Sequence, residues 1–424
     1  MEIILQSISD SMASFKLLGH VFYSLWFWIL PMPSFFLFRI LWLAHIQNAY
    51  AGSINWILLE IIPPKEIEKS PKLMESIYIG MTGVEKSFTT MEEFSYGLFT
   101  TGFSMEIVGE NGNTHFYIRT HKGNRNLVES FIYAHYPDTI IKEVPDYVEN
   151  VPKFIPNEKW DLWGTDFEFT KDDAYPIRTY KYFEEDVTGK MIDPLGGIIE
   201  VMGKLPPGQH IWFQIIAVPT SPTWSDKEGR KLAEKLKGRS EEKESVLETL
   251  GNDIKDVFSS IWKATFEPVE FAQKDKKEDQ PLEFRLSPGE REILRSIEEG
   301  LGKATFKVKM RFVFLGRKDN FDKSFVSAFI GGLKQFNDNN FNSLKPDNLS
   351  KTVALVIFEK IRLRYMQRKI FRRYCSRSTD GVNFIMNTEE LATIFHLPDM
   401  SIITPALERV DAKRGGAPSN LPVE

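Results

Sequence analysis

A single cysteine, Cys375, stands in 424 residues. One thiol excludes an internal disulfide framework and a cysteine-rich zinc site, and it suits a reducing compartment. The seven histidines are scattered, and no HExxH spacing sets two of them toward one metal. A Walker loop needs G-x-x-x-x-G-K-[ST], whose backbone N–H groups and lysine hold phosphates. The nearest approach, Gly197 to Lys204, has the wrong spacing and runs on into Leu205. G-x-S-x-G and G-x-G-x-x-G are missing too. Carboxylates are plentiful but fall in no catalytic spacing. Asp172-Asp173 and Glu184-Glu185-Asp186 could bind a metal in principle, with surface loops the plainer reading. These absences point to a non-enzyme with no cofactor. A net charge of −5 argues against nucleic-acid binding by the whole surface, while a local basic patch stays open. With 42% hydrophobic and 26% charged residues the chain is not mostly disordered.

Charge is also absent from Leu17 to Phe38, between Lys16 and Arg39. Twenty-two residues make roughly 33 Å of helix, enough for a hydrocarbon core. The expectation is a single-pass transmembrane helix with Leu17, Phe22, Trp26, Trp28, Pro31, Pro33 and Phe38 in the span, kinked at its prolines. A signal sequence cleaved near Ala49-Tyr50-Ala51 and an interfacial hairpin are the alternatives. Lys16 precedes the span, whereas Arg39, Lys65, Lys69 and Lys72 come after it, which favours a cytoplasmic body at the cell membrane.

The rest of the chain reads as α+β: two ferredoxin-like α/β sandwich domains, the second with a helical insertion, with a loosely related α+β sandwich as the alternative topology. Trp56 to Ile62 is a buried strand, and Ser70-Pro71 opens a helix with Leu73, Met74, Ile77, Tyr78 and Met81 on one face. Phe103–Val108 and Thr114–Thr120 form a hairpin. A helix over Asn126–Tyr136 and a strand over Thr139–Val144 complete β-α-β-β-α-β, the split order of ferredoxin-like domains. Pro145 to Pro156 looks like a domain boundary. Beyond it, Asp166–Thr170, Ile177–Phe183 and Ile211–Val218 read as strands. Asp193–Gly203 reads as a helix, and Ser225 to Gly238 as a capped one. The charged stretch 239–285 reads as a helical insertion. Ser287-Pro-Gly-Glu290 is another capping box. Phe306 to Phe314 alternates strictly, so Lys307, Lys309 and Arg311 are expected on an open face. A strand–connector–helix unit recurs at Trp56–Gly83, Ile211–Gly238 and Phe306–Leu333.

The most unusual feature of the body is basic. Residues 351–377 carry nine Lys or Arg against one acid, Glu359. Lys360, Arg364, Arg368 and Arg372 recur every fourth residue, and like charges at that spacing repel on a helix. An anionic partner would relieve the cost. Lys360, Arg364, Arg368, Lys369, Arg372 and Arg373 are the candidate anion contacts, toward lipid, nucleic acid or an acidic protein surface. A solvated connecting helix is the plainer alternative. Asn387-Thr-Glu-Glu390 caps a short helix, and Lys413 to Pro418 has linker composition.

Several stretches carry a family resemblance. They are Trp56 to Ile61 with Ser70 to Glu75, Phe103 to Ile107 with His115 to Arg119, and Leu127 to Glu129 with Tyr133 to Pro137. Ala328 to Asn337, Asn387 to Ala392 with Phe395 to Pro398, and Ala417 to Pro422 continue it. Together they resemble the membrane-anchored N-terminal region of bacterial type IV secretion DNA-binding proteins, the TraG-like coupling ATPases of conjugation. That region has no assigned chemistry, so no catalytic residue carries over. The residue patterns divide the chain into a tail at 1–14, a membrane helix with its extension at 15–50, and α+β domains at 51–150 and 151–345. A basic connector at 346–377 and a helix with linker tail at 378–424 complete the order. The resemblance implies a membrane adaptor that docks a separately encoded, hexameric HerA/FtsK-type motor for DNA translocation, because the ATPase itself is missing. The alternative is a membrane-tethered module that binds DNA or anionic lipid through its basic segment. Partners are thus a lipid bilayer, the motor and, less directly, nucleic acid, with self-association left open.

Overall fold

The structure is a computed structural model. It describes Lys16, residues 31–64, 71–183, 192–220, 229–236, 287–353 and 358–399, Ile402 and 407–409. The chain divides into two units. One comprises Met1–Trp56 and Lys86–Thr101, and the other Ile57–Glu85 and Gly102–Glu424.

The smaller unit packs helix α1 (Pro31–Ser53) against a short helix, Thr90–Tyr96. Pro31 and Pro33 stand in the first turn of α1, where proline's missing N–H is one of the helix's unsatisfied donors anyway. Trp42 donates its indole N–H to the Phe94 carbonyl at 3.0 Å. Tyr50 meets Phe99 edge-on at 5.4 Å. Gly97 ends the short helix in the left-handed region (φ 66°), and a Cβ there would lie 2.5 Å from the Ile46 backbone. Only glycine fits both demands.

The larger unit is built on one nine-stranded sheet. Its first half is β1 (Trp56–Ile62), helix α2 (Lys72–Met81), β2 (Phe103–Glu110), β3 (Asn113–His121), helix α3 (Arg125–His135) and β4 (Ile140–Val144). The second half holds β5 (Trp160–Phe169), helix α4 (Gly196–Gly203), β6 (Gln209–Thr220), helix α5 (Arg230–Leu236) and helix α6 (Pro288–Leu301). It continues through β7 (Thr305–Arg317), helix α7 (Ser324–Leu333) and β8 (Leu344–Pro346). Helix α8 (Glu359–Cys375), β9 (Phe384–Asn387) and helix α9 (Thr388–Ile394) come last. The strand order is β4-β1-β3-β2-β6-β7-β5-β8, with β9 beside β7. The first half thus has the order of a split β-α-β motif, and the second half repeats it in reverse. Their corresponding strands, β2 and β6, pair antiparallel from Phe103↔Ala217 to Glu110↔His210.

This corrects the expected architecture in two respects. Among the described residues no helix is long and apolar enough to cross a membrane. The expected span residues Leu17, Phe22, Trp26 and Trp28 lie outside the described residues. Pro31, Pro33 and Phe38 lie in α1, whose apolar character is diluted by Arg39, His45, Gln47 and Asn48. The transmembrane-helix assignment is therefore corrected, and no feature of the described residues supports type IV secretion or conjugation. The two ferredoxin-like domains are likewise not separate sandwiches. β2 and β6 are buried on both faces, and pairing them satisfies a row of N–H and C=O groups that a free edge would leave open. The stretch 145–156 is not a boundary either, because Tyr147, Val151 and Ile155 are buried against the sheet.

Both sheet faces are covered. One carries the main core, where Leu59, Ile107, Phe213 and Phe312 meet α2, α3, α4, α7 and α9. The other carries Leu58, Val108, Leu162, Trp212, Val313 and Leu315 under α8 and the 147–155 segment. The expected open face of β7 is therefore closed: Lys307 is exposed, but Lys309 and Arg311 are buried. Ile177–Phe183 is not a strand. Two of its N–H groups go to side chains, Ile177 to Glu390 at 3.0 Å and Tyr180 to Thr393 at 3.0 Å, and Tyr180–Phe183 is a single 3-10 turn. The Asn387 capping box forms as the sequence suggests, and all seven residues of α9 are buried, so this helix is part of the core. The insertion 239–285 lies outside the described residues.

Candidate functional site

Strand register builds the seat of the site. Tyr117, Glu106, Gln214, Arg311 and Asp166 lie directly opposite one another across β3, β2, β6, β7 and β5. They form a polar row on the face covered by α8. Glu106 and Arg311 are fully buried, so each must be paired. Arg377 donates to Glu106 at 3.0 and 3.1 Å and to Asp146 at 2.5 and 2.8 Å. Ser104 donates to Glu106 at 2.5 Å and Tyr147 at 2.7 Å. The Tyr147 proton being so used, the Tyr374 hydroxyl donates to the Tyr147 oxygen at 2.8 Å. Burial would raise the Glu106 carboxyl, but the Arg377 charge and these hydrogen bonds outweigh it and hold the pKa below the ordinary range. Burial likewise opposes the Arg377 charge, and Glu106 reverses the balance, so its pKa stands well above the usual value.

A second cluster adjoins the first. Asp166 accepts from Arg311 at 2.8 Å and pairs with Lys309 at 2.6 Å. Burial lowers the Lys309 pKa against the pull of Asp166. Arg311 also donates to the Arg373 and Ser378 carbonyls at 2.8 and 3.2 Å, and Gln214 to the Tyr374 carbonyl at 3.3 Å. A buried cation thus satisfies the end of α8 where the helix dipole is negative. Gln367 binds the Leu162 carbonyl at 2.6 Å, and Gly164 lets Ile370 come close; a Cβ there would lie 3.2 Å from it. α8 is bolted to the sheet along its C-terminal half.

Its outer face is basic. Lys360, Arg362, Arg364, Arg368 and Arg372 are exposed, and none makes an ion pair among the described residues. Lys369 is half-buried, with its ammonium 5.9 Å from the centre of the Tyr365 ring. Arg373 is half-buried too, and its charge bears on Lys309. The structure therefore brings four of the six expected anion contacts, Lys360, Arg364, Arg368 and Arg372, to the outer surface, leaves Lys369 and Arg373 half-buried, and adds Arg362 to the exposed set. Beside them lies a groove of about 650 Å³, lined by Lys153, Phe154, Ile155, Tyr365, Arg368, Lys369, Phe371, Arg372, Cys375 and Ser376. Lys153, Phe154 and Ile155 escaped the sequence reading because they sit in the supposed linker. The one available signal was the pair of large apolar residues, Phe154 and Ile155, beside Lys153 among its prolines.

Elsewhere, Asp173 accepts from the Ile385 N–H at 2.9 Å, and 184–186 lie outside the described residues. Among the described residues no group of three or more His, Cys, Asp or Glu is placed to hold a metal. Burial raises the Cys375 thiol to about 12, which makes it a poor nucleophile at neutral pH.

The fold and this surface define an α+β protein with a fixed basic helix over a closed sheet. The chain belongs to the family described as a domain of unknown function, DUF8128, whose model matches residues 46–409. That description assigns no activity. No curated protein matches the chain.

Proposed function

We propose that the chain is a non-catalytic binding module that holds a nucleic acid by its phosphates along the outer face of α8. One observation carries this reading: five exposed cations on a clamped helix with no acidic partner among the described residues. Like charges at i,i+4 cost the helix stability, and a row of phosphates removes that cost. The clamp supports it further. A helix seated by buried Arg377 and Arg311 presents its cations with little ordering left to do on binding. The overall charge of −5 confines the attraction to this surface.

The test is the full chain with Arg364→Glu, Arg368→Glu and Arg372→Glu combined, titrated with a fluorescent oligonucleotide over a range of salt. All three positions are exposed, so the fold is expected to persist by circular dichroism. Binding is expected to vanish in the variant and to weaken steeply with salt in the parent. Equal binding by both proteins, or none by either, sinks the proposal.

A further inference from the structure

We infer that the groove beside α8 is a base-stacking subsite, so that the nucleic acid held there is single-stranded. This rests on the phosphate-binding reading and adds what the aromatic side chains do. Phe154 is 77% exposed and Tyr365 65% exposed, and both line the one groove. Burying a phenylalanine ring is among the larger gains a side chain offers a fold, and the fold forgoes much of it at Phe154. An open ring between cations is what an unstacked base needs: a flat apolar partner with a positive charge near its phosphate. The surroundings fit. Lys153, Arg368, Lys369 and Arg372 line the groove and no carboxylate does, while buried Ile155 and Phe371 make its base apolar. Lys369 over the Tyr365 ring shows cation and ring sharing one surface. Burial keeps the Cys375 thiol neutral there, so no anion of the protein competes. A duplex keeps its base faces stacked and reaches this surface through phosphates alone. A single strand uses both features.

The experiment compares four probes on the full chain: oligothymidylate, a hairpin duplex of the same charge, inorganic polyphosphate, and phosphatidylglycerol vesicles. The variants are Phe154→Ala with Tyr365→Ala, and Phe154→Trp with Tyr365→Phe. The parent is expected to prefer the single strand over the duplex. Removing each ring is expected to weaken oligothymidylate about tenfold. Polyphosphate binding is expected to stay unchanged, and the aromatic replacements to restore the strand. Equal affinity for strand and duplex, or an alanine variant that binds the strand as well as the parent, overturns the stacking subsite and leaves phosphate binding standing. An aromatic-dependent response to vesicles alone makes the ligand a lipid and overturns it as well. Failure of both oligonucleotides and polyphosphate to bind removes the phosphate reading itself.

Discussion

Arg377 decides how α8 is seated, and it does so from a backbone position that rarely holds arginine. Its φ is 52°, in the left-handed region where a helix usually ends on glycine. The position is held because the guanidinium, 8% exposed, bridges Glu106 and Asp146. Arg377→Met leaves the buried Glu106 charge with only neutral donors, so a loss of about 3–5 kcal/mol is expected in urea unfolding. Adding Glu106→Gln removes that stranded charge and should restore part of the loss, a coupling that a double-mutant cycle measures. Because the Glu106 pKa is lowered in the fold, its contribution is full above the unfolded carboxylate value of 4.5 and lost as pH falls below it. Glu390 runs the other way. Burial raises its pKa to about 8, with Glu389 and Asp173 adding to the rise against N–H donors from Asn387 and Ile177. The native state then binds a proton the unfolded chain has released, and stability falls as pH climbs from about 4.5 toward about 8. Glu390→Gln has no charge to bury, and its one carbonyl oxygen serves either the Asn387 or the Ile177 N–H, at a cost that does not vary with pH. Its stability relative to the parent is expected to rise across that window in urea titrations at successive pH values; a parallel pair of pH curves would refute the shift.

At the scale of elements, α8 was legible as a basic helix because its cations recur every fourth residue and only one acid interrupts them. Its role as a lid over a second sheet face was not legible. Lys309 and Arg311 alternate with core residues as solvent-facing cations would, and only the register sets Asp166 beside them. Period-2 patterning fixes which side a residue takes and says nothing of what lies over that side. The same gap hid the groove, whose Lys153 and Phe154 come from a segment distant in sequence from α8. The unpaired stripe makes a prediction of its own. Replacing Arg364 or Arg368 by Gln removes like-charge neighbours and is expected to raise stability by about 0.2–0.5 kcal/mol each. Nucleic-acid affinity is expected to fall in the same proteins. Stability and binding moving in opposite directions marks a surface kept for a ligand; both falling together would mark a structural helix.

Across the whole molecule, the continuous sheet explains why local signals were read as separate domains. Each half carries its own strand order and helices, which sequence spacing reveals, but the junction is a backbone pairing between β2 and β6 that neither strand's sequence announces. The same continuity makes α9 essential. Tyr78 of α2 donates to the Phe395 carbonyl at 2.7 Å, and Ile394 is fully buried, so deleting 388–397 is expected to abolish cooperative unfolding instead of freeing a linker. On this frame the basic stripe is a local exception within an acidic chain of pI 5.9. A net negative molecule that binds phosphate through one helix should release counterions only there. For a single strand the slope of log affinity against log salt is about −0.7 per phosphate neutralised, so full use of the five exposed cations gives about −3.5. Each Arg→Gln change on α8 should flatten the slope by about 0.7, whereas Lys307→Gln, a cation on the sheet outside this helix, should leave it unchanged. A slope that responds equally to both would place the phosphates elsewhere on the molecule.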